Sequence, residues 1–267
     1  MTRARVAVAL AVVLAAATSA APAAADTDSG RPVAVVLRDD ALDMGADVIG
    51  AVIDFAFVNR GSKVHELAVQ HVRPGTTLQD ALDAAAAGVE RPAFVLDDPG
   101  SVFFLGAGER VRYQRTLAAG LYLYVVPRVD GAPQLDRRAY HLVRVVARGE
   151  RMSVDGGRIV SLRDDAVVLS RVNPGSGRYV IANDGTIPHE LFVVGVRVPA
   201  DLDRGDALGA WLEGGQVGSP PFPVHLPGSH HTIAPGVRVV LTWELHHSTT
   251  YAFVDFATGA SATATLR

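Results

Sequence analysis

The chain has 267 residues, 49% of them hydrophobic and 20% charged, a balance that supports a sizeable core and excludes intrinsic disorder. Twenty-five Lys and Arg against 28 Asp and Glu give a formal charge of −3, so there is no chain-wide basic field to attract a nucleic-acid backbone. Cysteine is absent, which excludes disulfides, thiolate nucleophiles and every thiolate metal centre.

The first segment reads as an export signal. Arg3 and Arg5 precede a Val/Ala/Leu run from Val6 to Ala17, followed by Ala23-Ala24-Ala25 before Asp26. A charged start, a short apolar stretch and an A-x-A step are the features of a secretory signal peptide, here assigned to residues 1–25. The run is too short to span a bilayer, and no later apolar stretch reaches the roughly 18–20 residues of a membrane helix. The mature chain is expected to be secreted or extracytoplasmic, with no transmembrane segment.

The remainder repeats itself. Asn59-Arg60-Gly61-Ser62-Lys63-Val64-His65-Glu66-Leu67 returns 124 residues later as Asn183-Asp184-Gly185-Thr186-Ile187-Pro188-His189-Glu190-Leu191. Upstream, Leu37-Arg38-Asp39-Asp40-Ala41 returns as Leu162-Arg163-Asp164-Asp165-Ala166; downstream, Pro99-Gly100-Ser101 returns as Pro227-Gly228-Ser229. Three landmarks in one order predict two homologous units, residues 26–150 and 151–267, of ordinary domain size.

Within the first unit, runs rich in Val, Phe and Tyr predict strands at Ala34–Leu37, Val48–Val58, Leu67–Val72, Arg110–Thr116, Leu121–Val126 and Tyr140–Val146. The second unit matches with Tyr179–Ala182, Leu191–Val198, Arg238–Leu245, Tyr251–Phe256 and Ala262–Leu266. Short strands with regular turn signals predict an all-β sandwich. A helix is predicted after each H-E-L strand. In the first unit Thr77 caps a face of Leu78, Ala81, Leu82 and Ala85; in the second, Asp203–Glu213 carries Leu208, Trp211 and Leu212.

The duplicated N-x-G-x-x-x-H-E-L motif resembles the cupredoxins, the plastocyanin and azurin relatives. In that family the loop after Asn-x-Gly delivers a copper-ligating His, and a later Gly-x-Tyr hairpin precedes a loop bearing Cys, a second His and usually Met. The resemblance spans nearly all of residues 33–267 and implies two tandem Greek-key β-sandwiches, each with a short helical insertion. His65 and His189 match the first ligand. Gly120-Leu121-Tyr122-Leu123-Tyr124-Val125-Val126 resembles the Cys-bearing strand with Val126 at the Cys position, and Asp255 stands there in the second unit. Gln134 replaces the second His in the first unit, and no methionine follows it within that loop. His65, Val126 and Gln134 are therefore degenerate family positions, and the type 1 copper chemistry does not carry over, because it needs two imidazoles and a thiolate.

Other chemistry is sparse. G-x-S-x-G, P-loop, G-x-G-x-x-G and H-E-x-x-H patterns are absent, and Asp39-Asp40, Asp97-Asp98 and Asp164-Asp165 fall at turns, where Asp bonds to the backbone. No catalytic residue is assigned and the chain is not expected to be an enzyme. The leading expectation is a scaffold that binds an unidentified protein or cell-surface partner without a cofactor. The alternative is handling of copper, zinc or another divalent metal without cysteine. Strand directions in the second unit predict that His189, His230 or His231, and Asp255 converge on such a metal, whereas His246 and His247 occupy the opposite hairpin.

Overall fold

A computed structural model describes residues 32–266 except 90, 127, 130–131, 134, 148–151, 171–174, 215 and 217. The expected signal segment 1–25, the boundary at 150 and 151, and Gln134 lie outside the described residues. The first half contains β1 (Val33–Leu37), β2 (Leu42–Met44), β3 (Val48–Gly50), β4 (Val52–Asn59) and β5 (Ala68–Val72), then helix α1 (Leu78–Ala86). It continues with β6 (Val95–Asp97), β7 (Val102–Leu105), β8 (Arg110–Thr116), β9 (Gly120–Val125), β10 (Arg128–Val129), β11 (Ala132–Pro133) and β12 (Tyr140–Val146). The second half contains β13 (Arg158–Arg163), β14 (Ala166–Ser170), β15 (Gly177–Asn183) and β16 (His189–Val196), then α2 (Gly205–Glu213). It ends with β17 (Val224–His225), β18 (Pro227–Ile233), β19 (Arg238–Trp243), β20 (Thr249–Asp255) and β21 (Ser261–Leu266).

The fold is mainly β, and the two halves repeat each other's pairing. In the first, β1 pairs antiparallel with β2 and parallel with β4, and β4 pairs antiparallel with β8; β13, β14, β15 and β19 do the same in the second. Likewise β5–β9–β12 corresponds to β16–β20–β21. Both helices form where expected. Thr77 and Asp80 close a reciprocal capping box on α1, whose Ala81 is buried and whose Leu78, Leu82 and Ala85 pack on the core. Helix α2 follows a 3-10 turn at Pro199–Arg204 and buries Leu208 with Phe192, Val194 and Phe222.

The expectation of two self-contained sandwiches is corrected by the sheets. Strand β8 pairs antiparallel with β19, matching Val111 with Trp243 and Tyr113 with Leu241, so the half-sheets fuse into one eight-stranded sheet, β14-β13-β15-β19-β8-β4-β1-β2. A second seam joins β7 of the first half to β18 of the second, in the sheet β21-β20-β16-β18-β7. The principal core likewise draws from both halves, with Phe55, Phe57, Tyr113 and Tyr124 in the same cluster as Tyr179, Trp243, Tyr251 and Phe253.

Neither β7 nor β18 is anticipated from sequence. β7 follows, and β18 begins with, a Pro-Gly-Ser step that reads as a turn, and their mutual pairing across the halves helps to make them strands. Gly100 (φ 76°) illustrates the fit: an added Cβ would lie 2.2 Å from the His231 carbonyl oxygen, so a side chain is excluded both by conformation and by the approach of β18. The expected strand Val48–Val58 is divided into β3 and β4 at Ala51 and serves two sheets.

Candidate functional site

The duplicated motif builds the same pin twice. Asn59 is buried, and its Nδ2 donates to the carbonyls of Lys63 (2.7 Å) and Leu105 (2.8 Å) while Oδ1 accepts from the Gly61 amide. Asn183 repeats this with Ile187 (2.8 Å), Ile233 (2.7 Å) and Gly185. Asp39 of the upstream turn accepts from the Ser62 amide (3.0 Å) and hydroxyl (2.9 Å), and Asp164 accepts from the Thr186 amide and hydroxyl, both at 2.7 Å. Each carboxylate then faces its motif histidine. His65 Nε2 is 3.0 Å from Asp39 Oδ1, and His189 Nε2 is 3.4 Å from Asp164 Oδ1. The motif glycines sit between these groups: a Cβ on Gly61 or Gly185 would lie 2.4 or 2.6 Å from the histidine Nε2. The spacing N-x-G-x-x-x-H is therefore a packing solution at each loop, in which Asn replaces lost backbone partners and Gly leaves room for the ring.

Electrostatics follow this packing. Burial raises the Asp39 carboxyl, but hydrogen bonds from Ser62 and His65 outweigh it, and the group titrates below its ordinary value. Burial lowers His65 more than Asp39 raises it, so the ring tends to be neutral.

At the positions where the family carries copper ligands, the second unit has an ion-pair geometry. His189 Nδ1 donates to Asp255 Oδ2 at 2.7 Å, and neither residue is exposed to solvent. Asp255 also accepts from the Glu190 amide (3.1 Å), the Ala257 amide (3.2 Å) and the Thr258 hydroxyl. Burial raises this carboxyl, but the hydrogen bonds from Thr258 and His189 prevail and hold it below its ordinary value. In the first unit Val126 is buried, and His65 Nδ1 has no hydrogen-bond partner among the described residues. These side chains do not fit a type 1 copper ion. The thiolate is missing, Val126 offers no ligand atom, and the nitrogen of His189 that faces the Cys position is already bonded to Asp255.

The structure places His189 against Asp255 and the other two candidate ligands elsewhere. His230 is buried in the core with Nε2 3.2 Å from the Tyr113 hydroxyl, and burial together with the charge of Arg115 pushes its pKa well down. His231 projects between the two motif glutamates, with Nδ1 3.1 Å from Glu190 and Nε2 3.4 Å from Glu66. Those carboxylates raise it to about 10, Glu190 contributing most. The expectation placed both histidines in one loop; they lie on β18, where successive side chains point to opposite faces.

Among the described residues, the group of metal-ligating side chains that does converge is Glu109, His225 and His246. Sequence reasoning set His246 aside as part of the far hairpin and did not weigh Glu109 or His225. No sequence signal links them: the pairing of Trp243 on β19 with Val111 on β8 brings the residues just beyond each strand side by side.

No protein-family model matches the chain, and no curated protein matches it. Solved structures do. The chain is similar to a dithionite-reduced auracyanin from Roseiflexus castenholzii, at 15% identity and a TM-score of 0.28 over 42% of this chain and 94% of that one. It is similar to a multicopper oxidase at 12% identity and a TM-score of 0.24, over 89% of this chain and 88% of that one. A copper nitrite reductase from Nitrosomonas europaea matches at 12% identity and a TM-score of 0.23, over 88% of this chain and 93% of that one.

Proposed function

We propose that this chain is a secreted, cupredoxin-like scaffold of two fused tandem units that binds a protein or cell-surface partner and carries no type 1 copper. The observation that carries this reading is the buried His189–Asp255 pair at 2.7 Å, which spends the family's first ligand on holding a loop. The duplicated Asn, Gly, Asp and His contacts support it, because they give those motif positions structural roles. Export is supported by the pattern of residues 1–25 and predicts a mature chain beginning at Asp26. No catalytic role is assigned, since the motif carboxylates Glu66 and Glu190 are engaged with His231.

The test is spectroscopic and enzymatic. Tag-free protein supplemented with Cu(II) should show no intense visible charge-transfer band, no oxygen uptake with a phenolic donor and no reduction of nitrite. An intense band or turnover overturns the reading. A second reading, handling of a divalent metal by nitrogen and oxygen ligands, is favoured by the convergence of Glu109, His225 and His246 rather than by the set around His189.

A further inference from the structure

We propose that Glu109, His225 and His246 form a divalent-metal site, for Zn(II) or Cu(II), at the seam between the two halves and at the end of the sandwich away from His189. The pairing of the strands places them there. Glu109 closes the turn before β8, and His246 lies just beyond β19, which is paired to β8. His225 ends β17, paired with Gly195 near the far end of β16 from His189, and the next residue, Leu226, accepts a backbone hydrogen bond from Gly106 in the Glu109 turn. One ligand thus comes from the first half and two from the second.

The three donor atoms lie within 4.8 Å of one another. His225 Nε2 is 2.9 Å from Glu109 Oε2, yet this buried nitrogen has no hydrogen bond of acceptable geometry. The nitrogen and the carboxylate oxygen already face each other inside the cluster, and an ion seated between them would bind both. On the other side of the ring, His225 Nδ1 is hydrogen-bonded to the Tyr251 hydroxyl, which also accepts from the His246 amide at 2.8 Å. A ring proton on Nδ1, donated to Tyr251, would leave the Nε2 lone pair free for the ion. Such an outer partner is what fixes the tautomer and aim of a metal-bound imidazole.

The third ligand is the adjustable one. The His246 ring stacks on His225 with centroids 3.7 Å apart and planes 15° from parallel. An ion must lie in the plane of each ring it binds, so His246 has to turn out of the stack, and its exposure to solvent permits that. Two imidazoles and one carboxylate, with a remaining position open to water, suit Zn(II) and Cu(II).

The test is calorimetric titration of ZnCl2 and CuCl2 into the tag-free full chain after chelation. Wild type should bind one ion at micromolar Kd or tighter. His246→Ala, an exposed change that leaves the fold alone, and Glu109→Gln should each weaken binding at least tenfold; His247→Ala, next door, should not. Because the ligands clip both halves together, a hundredfold excess of ion over Kd should raise the melting temperature by about 5–10 °C, and His246→Ala should abolish that rise. Absence of binding, binding unchanged in His246→Ala and Glu109→Gln, or equal loss in His247→Ala overturns the proposal.

Discussion

Replacing Asp255 by alanine removes the acceptor of four hydrogen bonds at a position with no solvent exposure. Two of the donors recover. Ala257 is exposed and Thr258 half-buried, so water replaces the carboxylate there. The other two, His189 Nδ1 and the Glu190 amide, are left facing a cavity, and each orphaned buried donor costs about 1–2 kcal/mol. The expected loss is therefore about 2–4 kcal/mol, or a melting temperature lowered by roughly 5–15 °C for a chain of this size. Asp255→Asn keeps an acceptor for His189 and should lose about half as much. The sign with pH follows from a carboxyl held below its ordinary 3.8: its contribution is complete above pH 4 and disappears as pH falls further. Urea titrations of wild type and both variants at pH 7 and pH 3 measure this. Should Asp255→Ala stay within about 0.5 kcal/mol of wild type at pH 7, the pair is not holding the loop, and the argument against a copper ligand at His189 loses its physical basis.

Gly185→Ala should destabilise by about 2 kcal/mol or more, because its Cβ would lie 2.3 Å from Asp164 Oδ1 and 2.6 Å from His189 Nε2; a thermal melt equal to wild type refutes the pin. His231→Gln should cost about 1–2 kcal/mol, discounted because the histidine side chain is 37% exposed. With His231 raised from 6.5 to about 10, its contribution is complete below pH 6.5 and is lost as pH climbs towards 10. On the acid side Glu190, lowered from 4.5, loses its share as pH falls below that value. The difference between wild type and variant, followed by denaturant melts, should thus peak between about pH 4.5 and 6.5, and a difference constant from pH 5 to 10 would sink the clamp. Thr77→Ala, which opens the capping box of α1, should cost about 1 kcal/mol and reduce hydrogen-exchange protection in Leu78–Ala86 alone.

The repeat was legible because each copy must rebuild the same loop. Asp39 and Asp164, Asn59 and Asn183, Gly61 and Gly185 recur with fixed spacing because each contacts its neighbours through particular atoms. The helices were legible from local periodicity and capping. The seams were not. Val102-Phe103-Phe104-Leu105 and Pro227-Gly228-Ser229-His230-His231-Thr232-Ile233 show little alternation, and Phe104 and Thr232 adopt positive φ, so their extended state depends on pairing across the halves. For the same reason His231 was not matched with Glu66. Those residues are 165 positions apart and meet only through the fused sheet. The Glu109, His225 and His246 group is a similar case, lying on β17 and on the segments bordering β8 and β19, which no single motif links.

Fusing β8 to β19 also disposes of a hazard. Alone, each half would end a four-stranded sheet on an open edge seven or six residues long, Arg110–Thr116 or Arg238–Trp243, with amide and carbonyl groups projecting sideways. Such edges recruit strands from other molecules. In the intact chain each edge is the other's partner, and the outer margins of the joined sheet are the short β2 and the five-residue β14. A fragment truncated near residue 147 would expose the Arg110–Thr116 edge, and its simplest relief is a second copy of itself, so the separated half should self-associate through that edge.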